Sequence, residues 1–486
     1  MSVQSERDTP LGPDVWRLAA IIASGAFLSG LDASIVNVGL DTITGELGAS
    51  LATTQWVANG YLIAMASSLP LCGWAARRVG AGRLWLACLA AFTVASAACA
   101  LAPDIGWLIV LRVVQGLAAG MLIPAGQTAL GQAVGPHRLG RVMATLGVAV
   151  TLAPALGPVV GGLVIDVGSW PWLFLLNVPV GVVALALGVR FVPRGQVGDP
   201  GPLDRLGLVL LSVGLPVLVW GFTRWGEEGT LGRFDVAGPL LLGVGALAAY
   251  GVHSRYSARP LLDLRLFRNR SYRAATFTAT FTGAALFGAG LLFALYFQLG
   301  RGADPLASGL LLIGASVGTA VALPFTGRLV DRYGGGPLSL LGGLVTVATT
   351  VPFALLPLDA GEWLVQVLLF ARGAGLAGAV MPVMTSAYKA VSAAQLPDAA
   401  TQVNIVSRVG GALGGAIFAV VLASALPHGT EPAFRTAFWW LVGASALGTV
   451  CAAWLTVAER GAPGPAAPVV AAEAVGGSPS RGSAGQ

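Results

Sequence analysis

Apolar residues occur along this chain in long runs that short polar segments interrupt. A helix that spans a membrane needs ~20 mostly apolar residues, and fourteen runs approach that length. The runs lie at 16–38, 55–76, 84–102, 107–129, 140–165, 171–191, 206–222, 236–253, 274–299, 306–327, 337–357, 363–386, 402–425 and 434–457. No run sustains the alternation of apolar and polar residues that a membrane β-strand requires. The pattern therefore predicts an all-α integral membrane protein with fourteen transmembrane helices.

The composition indicates a lipid environment for most of the surface. Of the 486 residues, 55% are hydrophobic and 10% are charged, against ~25% charged residues in soluble domains. A net charge of +6 can accompany nucleic-acid binding, but basic residues also collect in the cytoplasmic loops of membrane proteins. We therefore expect the lipid bilayer as a partner and no nucleic acid.

The distribution of basic residues predicts the orientation of the chain. With the N-terminus in the cytoplasm and fourteen crossings, most lysines and arginines fall on the cytoplasmic side. The arginines on the outside are Arg224, Arg233, Arg301 and Arg435, and those deep within predicted spans are Arg112, Arg372 and Arg408. The positive-inside rule favours this arrangement over its inverse. We expect a multi-pass protein of the cell membrane with both termini in the cytoplasm.

Three short stretches recur in the second half of the chain. They are GWAARRVG at 73–80 with GRLVDRYG at 327–334, LRVVQGLAAGMLIP at 111–124 with ARGAGLAGAVMP at 371–382, and GPVVGG at 157–162 with GGALGG at 410–415. Two such repeats are typical of secondary transporters, whose binding site lies near the middle of the bilayer between the halves.

The repeats divide the chain into five parts. They are a cytoplasmic segment at 1–15, a six-helix half at 16–191, a linker with two extra helices at 192–253, a second six-helix half at 254–457, and a tail at 458–486. Since the tail is rich in Ala, Gly and Pro and has no periodic apolar face, we expect it to be disordered and cytoplasmic.

Charged residues inside the predicted spans are the candidates for chemistry. Asp32 lies in the first span, where holding a charge costs ~3 kcal/mol on insertion scales. Burial favours the neutral acid and a nearby cation favours the anion, so such a group can take a proton from one side and release it to the other. Arg112, in the fourth span, keeps its charge and needs a carboxylate, a carbonyl or water. A purely structural pairing is the alternative for both, and Arg372 and Arg408 are open to either interpretation.

Six motifs in consecutive order resemble those of the fourteen-helix drug:proton antiporters of the major facilitator superfamily. They are LDASIVNVGL at 31–40, GWAARRVGAGR at 73–83, LRVVQGLAAG at 111–120, APALGPVVGG at 153–162, WPWLFLLNVPVG at 170–181 and PLLDLRLF at 260–267. The resemblance implies the major-facilitator fold, with two six-helix halves and two inserted helices. It also implies that Asp32 couples transport to protons or cationic substrates, and that Arg112 assists proton transfer.

Two of these motifs imply roles in conformational change. The fifth-helix motif is associated with exporters, because its prolines bend the helix and its glycines allow close packing. Its residues are Pro154, Gly157, Pro158, Gly161 and Gly162. The loop motif is associated with a cytoplasmic gate, and its residues are Gly73, Arg77, Arg78 and Gly80, with Asp331 and Arg332 in the second-half repeat. The family usually has an aspartate where this chain has Arg77, and that aspartate helps to hold the cytoplasmic gate closed. We therefore expect the second half to provide this closing contact, the latch, or the latch to be weaker.

An amphipathic substrate needs a cavity with aromatic and apolar walls and a few polar groups. The candidates for this cavity are Asn37, Trp56, Asn59, Tyr61, Gln127, Tyr296 and Gln298. For Trp56, Tyr296 and Gln298 a place in the interfacial belt is the stronger interpretation. No cysteine or histidine spacing is typical of a metal site, so we expect neither a metal nor a cofactor.

The sequence contains neither an HExxH motif nor a GxxxxGK[ST] phosphate-binding loop, which argues against a zinc hydrolase and against ATP-driven transport. The repeats fit alternating access better than the fixed pore of a channel. We expect a monomeric exporter of amphipathic small molecules, cationic ones included, that is driven by the proton gradient. Export of an endogenous metabolite or antibiotic, a peptide or a lipid, and a non-drug facilitator are the alternatives.

Overall fold

The structure, a computed structural model, describes residues 12–135 and 138–461. Fourteen main helices follow one another in these two ranges, and no β-strand occurs in them, so the predicted all-α fold is confirmed. The main helices are α1 (Pro13–Val38), α2 (Leu51–Ser68), α3 (Ala81–Ala100), α4 (Ile105–Val134), α5 (Leu139–Val167), α6 (Asn177–Phe191), α7 (Arg205–Glu228), α8 (Phe234–Tyr256), α9 (Arg270–Gly300), α10 (Ile313–Tyr333), α11 (Gly335–Leu355), α12 (Glu362–Lys389), α13 (Leu396–Ala425) and α14 (Thr430–Arg460). Shorter helices lie at Leu40–Glu46, Leu71–Val79, Pro171–Leu175 and Pro305–Leu311, with single 3-10 segments at Leu264–Arg268 and Leu426–His428.

The number of membrane spans is close to the predicted number. Within the described residues, twelve helices are long and apolar enough to cross a membrane, and the bent α5 makes thirteen. α2 is not among them, because polar residues between Thr53 and Asn59 lower its hydropathy. A turn at residues 69–70 also divides the run predicted at 55–76, since Pro70 cannot donate a helical hydrogen bond. The count of fourteen spans stays a prediction.

Proline and glycine shape α5 where it packs on α1. The axis of α5 bends by 45° just after Pro154. Pro158 has no N–H to donate to the Pro154 carbonyl one turn earlier, and Ser34 Oγ on α1 donates to that carbonyl instead, over 3.0 Å. A Cβ on Gly157 would lie 2.3 Å from the same Ser34 Oγ, so glycine permits the close approach of the two helices.

The main helices form two groups of six with a pair between them in the chain. Helices α1–α6 form the first half and α9–α14 the second half. α7 and α8 pack on each other, and α7 also packs against α2 and α13. The two halves meet mainly where α5 packs along α10 and where α4 contacts α13.

The two ends of this helical bundle are packed differently. We call the end that holds Arg77, Arg141, Asp331 and Asp398 the latch face; α1 begins there and α4 ends there. At the latch face a single hydrophobic core joins α1, α4 and α5 of the first half with α10, α12 and α13 of the second. At the opposite face each half has a core of its own. The halves are therefore closed against each other at the latch face.

Candidate functional site

A buried ion pair joins the first and fourth helices. Asp32 on α1 and Arg112 on α4 are 0% and 1% exposed, and Arg112 Nη1 donates to Asp32 Oδ2 over 2.5 Å. Arg112 Nε also donates to the carbonyl of Val57 on α2, at 3.1 Å. The two intramembrane charges that the sequence singled out separately are thus partners in one site.

Two amide side chains complete the surroundings of the acid. Gln115 Nε2 and Asn177 Nδ2 donate to Asp32 Oδ1 over 3.1 and 2.8 Å. Gln115 Oε1 in turn accepts a hydrogen bond from Arg112 Nη1 at 2.8 Å. Neither amide is among the site residues predicted from the sequence. Gln115 stands three residues after Arg112 and therefore shares its helix face, which was a usable signal.

The surroundings of Asp32 are built for an anion. Burying two charges is tolerated only when geometry and further hydrogen bonds satisfy both of them, and Asp32 accepts three such bonds. A proton on Asp32 would remove the anion and leave the Arg112 guanidinium buried without a counter-charge. Each member of the pair therefore depends on the other for its counter-charge.

Tyr61 forms the wall of this site on α2. Its ring centroid lies 4.0 Å from Arg112 Cζ, and its hydroxyl donates to the Ser29 carbonyl over 3.1 Å. The side chain is fully buried, although the sequence placed it among the cavity candidates. Tyr61 therefore joins the surroundings of Arg112 to the backbone of α1.

Asp331 forms a latch between the halves. Its two carboxylate oxygens accept the backbone N–H groups of Gly140 and Arg141, at 3.0 and 3.2 Å, in the first turn of α5. Unpaired N–H groups and the helix dipole make a helix start favourable for an anion. The side chains of Arg141 and Lys389 also lie within 3.7 and 3.4 Å of the same carboxylate. The second half thus binds the first through a helix start, and the gating role predicted for Asp331 stays a prediction.

A second latch has the charges reversed. Arg77 forms a salt bridge with Asp398, which lies in the first turn of α13. A Cβ on Gly73 would lie 2.5 Å from Asp398 Oδ1, so glycine leaves room for the acid. The sequence predicts that the second half carries the latch or that the latch is weaker. The structure adds a pair that was not predicted, in which Arg77 provides the base from the first half and Asp398 the acid from the second.

The remaining residues of the two loop motifs support the turns beside the latches. Arg78 Cζ lies 5.5 Å from the ring centroid of Trp74, and Arg332 Cζ lies 5.2 Å from that of Tyr333. Gly80 has φ = +93°, in the left-handed region that favours glycine, and a Cβ there would lie 2.3 Å from a neighbouring carbonyl oxygen. This glycine ends one helix and allows α3 to begin at once.

The residues predicted to line a substrate cavity do not form one cluster. Asn37, Trp56 and Asn59 are exposed, and Gln298 is half-buried. Tyr296 is buried in the core of the second half, edge-on to phenylalanine rings of α14. Their role in substrate binding stays a prediction.

Gln127 belongs to a polar contact between the halves. Its Oε1 accepts from the Tyr388 hydroxyl on α12 at 2.9 Å and from Asn404 Nδ2 on α13 at 2.7 Å. All three side chains are buried. In this state of the molecule Gln127 therefore helps to close the bundle above the latch face.

The second half holds its own intramembrane arginine without an acid. Arg372 Nη2 donates to the Ala285 carbonyl at 2.8 Å, and Nε donates to Thr350 Oγ1 at 3.2 Å. Ala285 lies in a π-helical turn of α9. Arg372 is thus satisfied by uncharged groups.

Comparison with known proteins identifies the family to which this architecture belongs. A family model described as the Major Facilitator Superfamily matches residues 22–415 and, separately, 275–479. The multidrug resistance protein B homolog of Mycobacterium tuberculosis is 34% identical over 415 residues, which cover 85% of this chain and 77% of the relative. The tetracenomycin C resistance and export protein of Streptomyces glaucescens is 31% identical over 417 residues, covering 84% and 76%.

Solved structures agree with the fold. The proton:xylose symporter XylE superposes with a TM-score of 0.62 at 14% identity, over 90% of this chain and 94% of that one. At this identity the likeness concerns the fold alone. The family and the fold predicted from the six motifs are confirmed, and the chain is a multi-pass membrane transporter rather than an enzyme. It belongs to the Major Facilitator Superfamily, alongside relatives named for multidrug resistance and antibiotic export.

Proposed function

We propose that this chain is a proton-coupled exporter, an antiporter that moves amphipathic small molecules out of the cell by alternating access. The observation that carries the proposal is the fully buried Asp32, whose three hydrogen-bond donors suit an anion and whose cationic partner is Arg112. The names of the relatives, which refer to multidrug resistance and to tetracenomycin C export, support outward transport of small organic molecules.

The proposal places the latch face in the cytoplasm. The positive-inside rule supports this orientation, because the loops at the latch face carry most of the basic residues. α1 begins and α14 ends at this face, so both ends of the helical bundle would be cytoplasmic. Since the halves are closed against each other there, the structure would correspond to the outward-facing state.

The proton would reach Asp32 from the outside, because this residue lies in the outer part of α1. Protonation removes the anion that holds Arg112, and Arg112 then keeps only its bonds to the Val57 carbonyl and Gln115. We propose that this loss allows the first half to tilt and the latches to open. In the inward-facing state Asp32 releases the proton while cargo enters. Each inward proton supplies ~2.3 kcal/mol per 100 mV of membrane potential, in addition to the pH gradient.

The site indicates less about the chemical class of the exported molecules than about proton coupling. Export of an endogenous metabolite or antibiotic would use the same machinery, and the relative named for tetracenomycin C favours that candidate over export of a peptide or a lipid. Both halves of the proposed site lie in one chain, which supports a monomer as the working unit. The proton gradient would be the driving force, with no metal or organic cofactor.

Proteoliposomes with an imposed pH gradient test the proposal. The protein would be presented with xanthene dyes of opposite charge, fluorescein and rhodamine 6G, and both uphill transport and downhill exchange would be recorded. We expect Asp32→Asn to lose uphill transport and to keep downhill exchange, because asparagine cannot carry the proton. Asp41→Asn is the matched control, since Asp41 is exposed just beyond the end of α1. Uphill transport by Asp32→Asn at the unsubstituted rate would show that coupling through Asp32 is wrong.

A further inference from the structure

Arg408 is an intramembrane arginine for which the described part of the chain supplies no hydrogen-bonding or acidic partner. Arg112 and Arg372 are buried and hydrogen-bonded. Arg408, on α13, is half-buried, and it makes no hydrogen bond or salt bridge with any residue in the ranges that the structure describes. An arginine keeps its charge at any accessible pH, so this guanidinium needs water or an anion.

Helix geometry shows which way Arg408 points. Asn404 lies one turn earlier on α13 and donates to Gln127 of the first half. Residues four apart share a helix face, so Arg408 also faces the first half, one turn further from the latch face. The neighbouring faces of α13 are occupied, because the backbone at Ser407 packs against Gly283 of α9 and Ile405 lies in a core with α7.

The position of Tyr61 agrees with this direction. Tyr61 belongs to α2 of the first half, and α2 and α13 both pack against α7. Arg408 therefore extends toward the boundary between the halves, at a depth between the closed polar contact of Gln127 and the Asp32–Arg112 pair. This is where a transporter with two repeats binds its cargo.

The buried acids of the described residues are all engaged. They are Asp32, Asp331 and Asp398. Asp32 is paired with Arg112, Asp398 with Arg77, and Asp331 with the start of α5. A cationic molecule that enters between the halves thus meets no free buried carboxylate, whereas an anionic molecule meets an available guanidinium.

We propose that Arg408 binds an acidic group of the cargo, a carboxylate or an acidic phenolate, and that the exported molecules are amphipathic organic anions. The planar guanidinium presents parallel N–H donors that match the two oxygens of a carboxylate. The proposal rests on the proposed function, because it names the cargo of the same transport cycle. It differs from the expectation for cationic drugs that the resemblance implied.

An anionic cargo changes the electrical character of the cycle. Exchange of one cation for one proton moves no net charge. Export of an anion with import of one proton moves at least two charges in the direction that an inside-negative potential favours. Uphill export of the anion therefore accelerates when an inside-negative potential is imposed, whereas exchange of a monovalent cation does not respond.

Equilibrium binding separates this proposal from proton coupling, because it needs no gradient. The purified protein, Arg408→Gln and Arg408→Lys would be titrated with fluorescein and with rhodamine 6G, and fluorescence polarisation would be recorded. We expect the unsubstituted protein to bind fluorescein, Arg408→Gln to bind it at least tenfold more weakly, and Arg408→Lys to fall between them. Arg190→Gln is the control, since it removes an equally charged but exposed arginine at the end of α6.

The proposal is overturned if Arg408→Gln binds fluorescein within twofold of the unsubstituted protein, or if the unsubstituted protein binds rhodamine 6G but not fluorescein. If Arg408→Gln does not fold, the comparison with Arg408→Lys and the potential dependence of fluorescein export give the answer. Export that does not respond to potential overturns the proposal. Loss of uphill transport in Asp32→Asn with intact fluorescein binding would leave Arg408 as the anion site and assign coupling to Asp32.

Discussion

The two halves of the molecule hold the equivalent arginines of their fourth helices by different means. In the first half Arg112 is paired with the carboxylate of Asp32, and in the second half Arg372 is bonded to the Ala285 carbonyl and the Thr350 hydroxyl. Only the first arrangement contains a group that can gain or lose a proton. The repeat therefore contains an arginine in both halves, but only the arginine of the first half is paired with a carboxylate.

The latches differ in a second way. Asp331 of the second half meets the start of α5, whereas Arg77 of the first half meets Asp398 at the start of α13. Both contacts join a loop motif to a helix start of the other half, but the sign of the charge on the loop is reversed. Each half thus contributes one loop charge to a contact with a helix start of the other half.

The largest difference between the halves should appear on removal of each arginine. Arg112→Met leaves Asp32 buried without a counter-charge, and we expect the free energy of unfolding to fall by ~3–5 kcal/mol. Arg372→Met leaves only a carbonyl and a hydroxyl without their hydrogen-bond donor, and we expect the free energy of unfolding to fall by ~1–3 kcal/mol. Unfolding in mixed detergent micelles measures both. The double variant Asp32→Asn with Arg112→Met should recover most of the stability that Arg112→Met loses. Equal losses in Arg112→Met and Arg372→Met would contradict the difference between the halves.

Glycines at equivalent positions of α5 and α13 offer a smaller contrast. A Cβ at Gly410 would lie 2.1 Å from the backbone oxygen of Thr280, whereas at Gly157 the closest atom is the side-chain Oγ of Ser34, 2.3 Å away. Rotation moves Ser34 Oγ but not Ser34 Cβ, which would lie 2.4 Å from the added methyl, so Gly157→Ala also forces α1 and α5 apart. Because the nearest backbone atom at Gly157 is 3.2 Å away, Gly410→Ala should lower the free energy of unfolding by ~1–3 kcal/mol and Gly157→Ala by less.

Gly162→Ala is the control for this pair, because a Cβ there meets open space. Its thermal unfolding midpoint in detergent should match that of the unsubstituted protein. A larger loss for Gly157→Ala than for Gly410→Ala would mean that α1 and α5 are the more rigid contact.

The smallest expected effect concerns the two latches. Asp331→Ala removes the anion from a helix start and should shift the equilibrium toward an open latch face by ~1 kcal/mol. Arg77→Ala leaves the buried Asp398 carboxylate without its salt bridge and should shift the equilibrium by a comparable amount, because this carboxylate regains water when the latch face opens. Distances between spin labels across the latch face measure the open fraction. The paired exchange Arg77→Asp with Asp398→Arg should restore closure, and failure to do so would argue against the reversed latch.

Much of the architecture was predictable because it follows from local properties of the chain. The apolar runs determine where helices form, and the repeated stretches determine that there are two halves. The run predicted as one helix at 55–76 is divided by a turn at Pro70, which the hydropathy of its residues does not reveal. The charged candidates Asp32 and Arg112 stood out because charges are rare in an apolar run.

The partners of those charges were not predictable, because a hydrogen bond joins residues far apart in the chain. In the sequence, Asn177 is a single polar residue in an apolar motif, and its hydrogen bond to Asp32 exists only because α6 lies beside α1. Asp398 looks like the start of a helix until α13 meets Arg77. A single sequence contains no distances between helices, so neither contact left a signal.

The sequence by itself determined the all-helical membrane architecture, the two related halves and the intramembrane charges, because hydropathy and repetition are properties of the chain. Only the tertiary structure decided that Asp32 is satisfied by Arg112, Gln115 and Asn177 while Arg408 is left to face the boundary between the halves. The physical reason is that the effect of a charge depends on its neighbours, and in a helical bundle those neighbours are brought together by packing between helices.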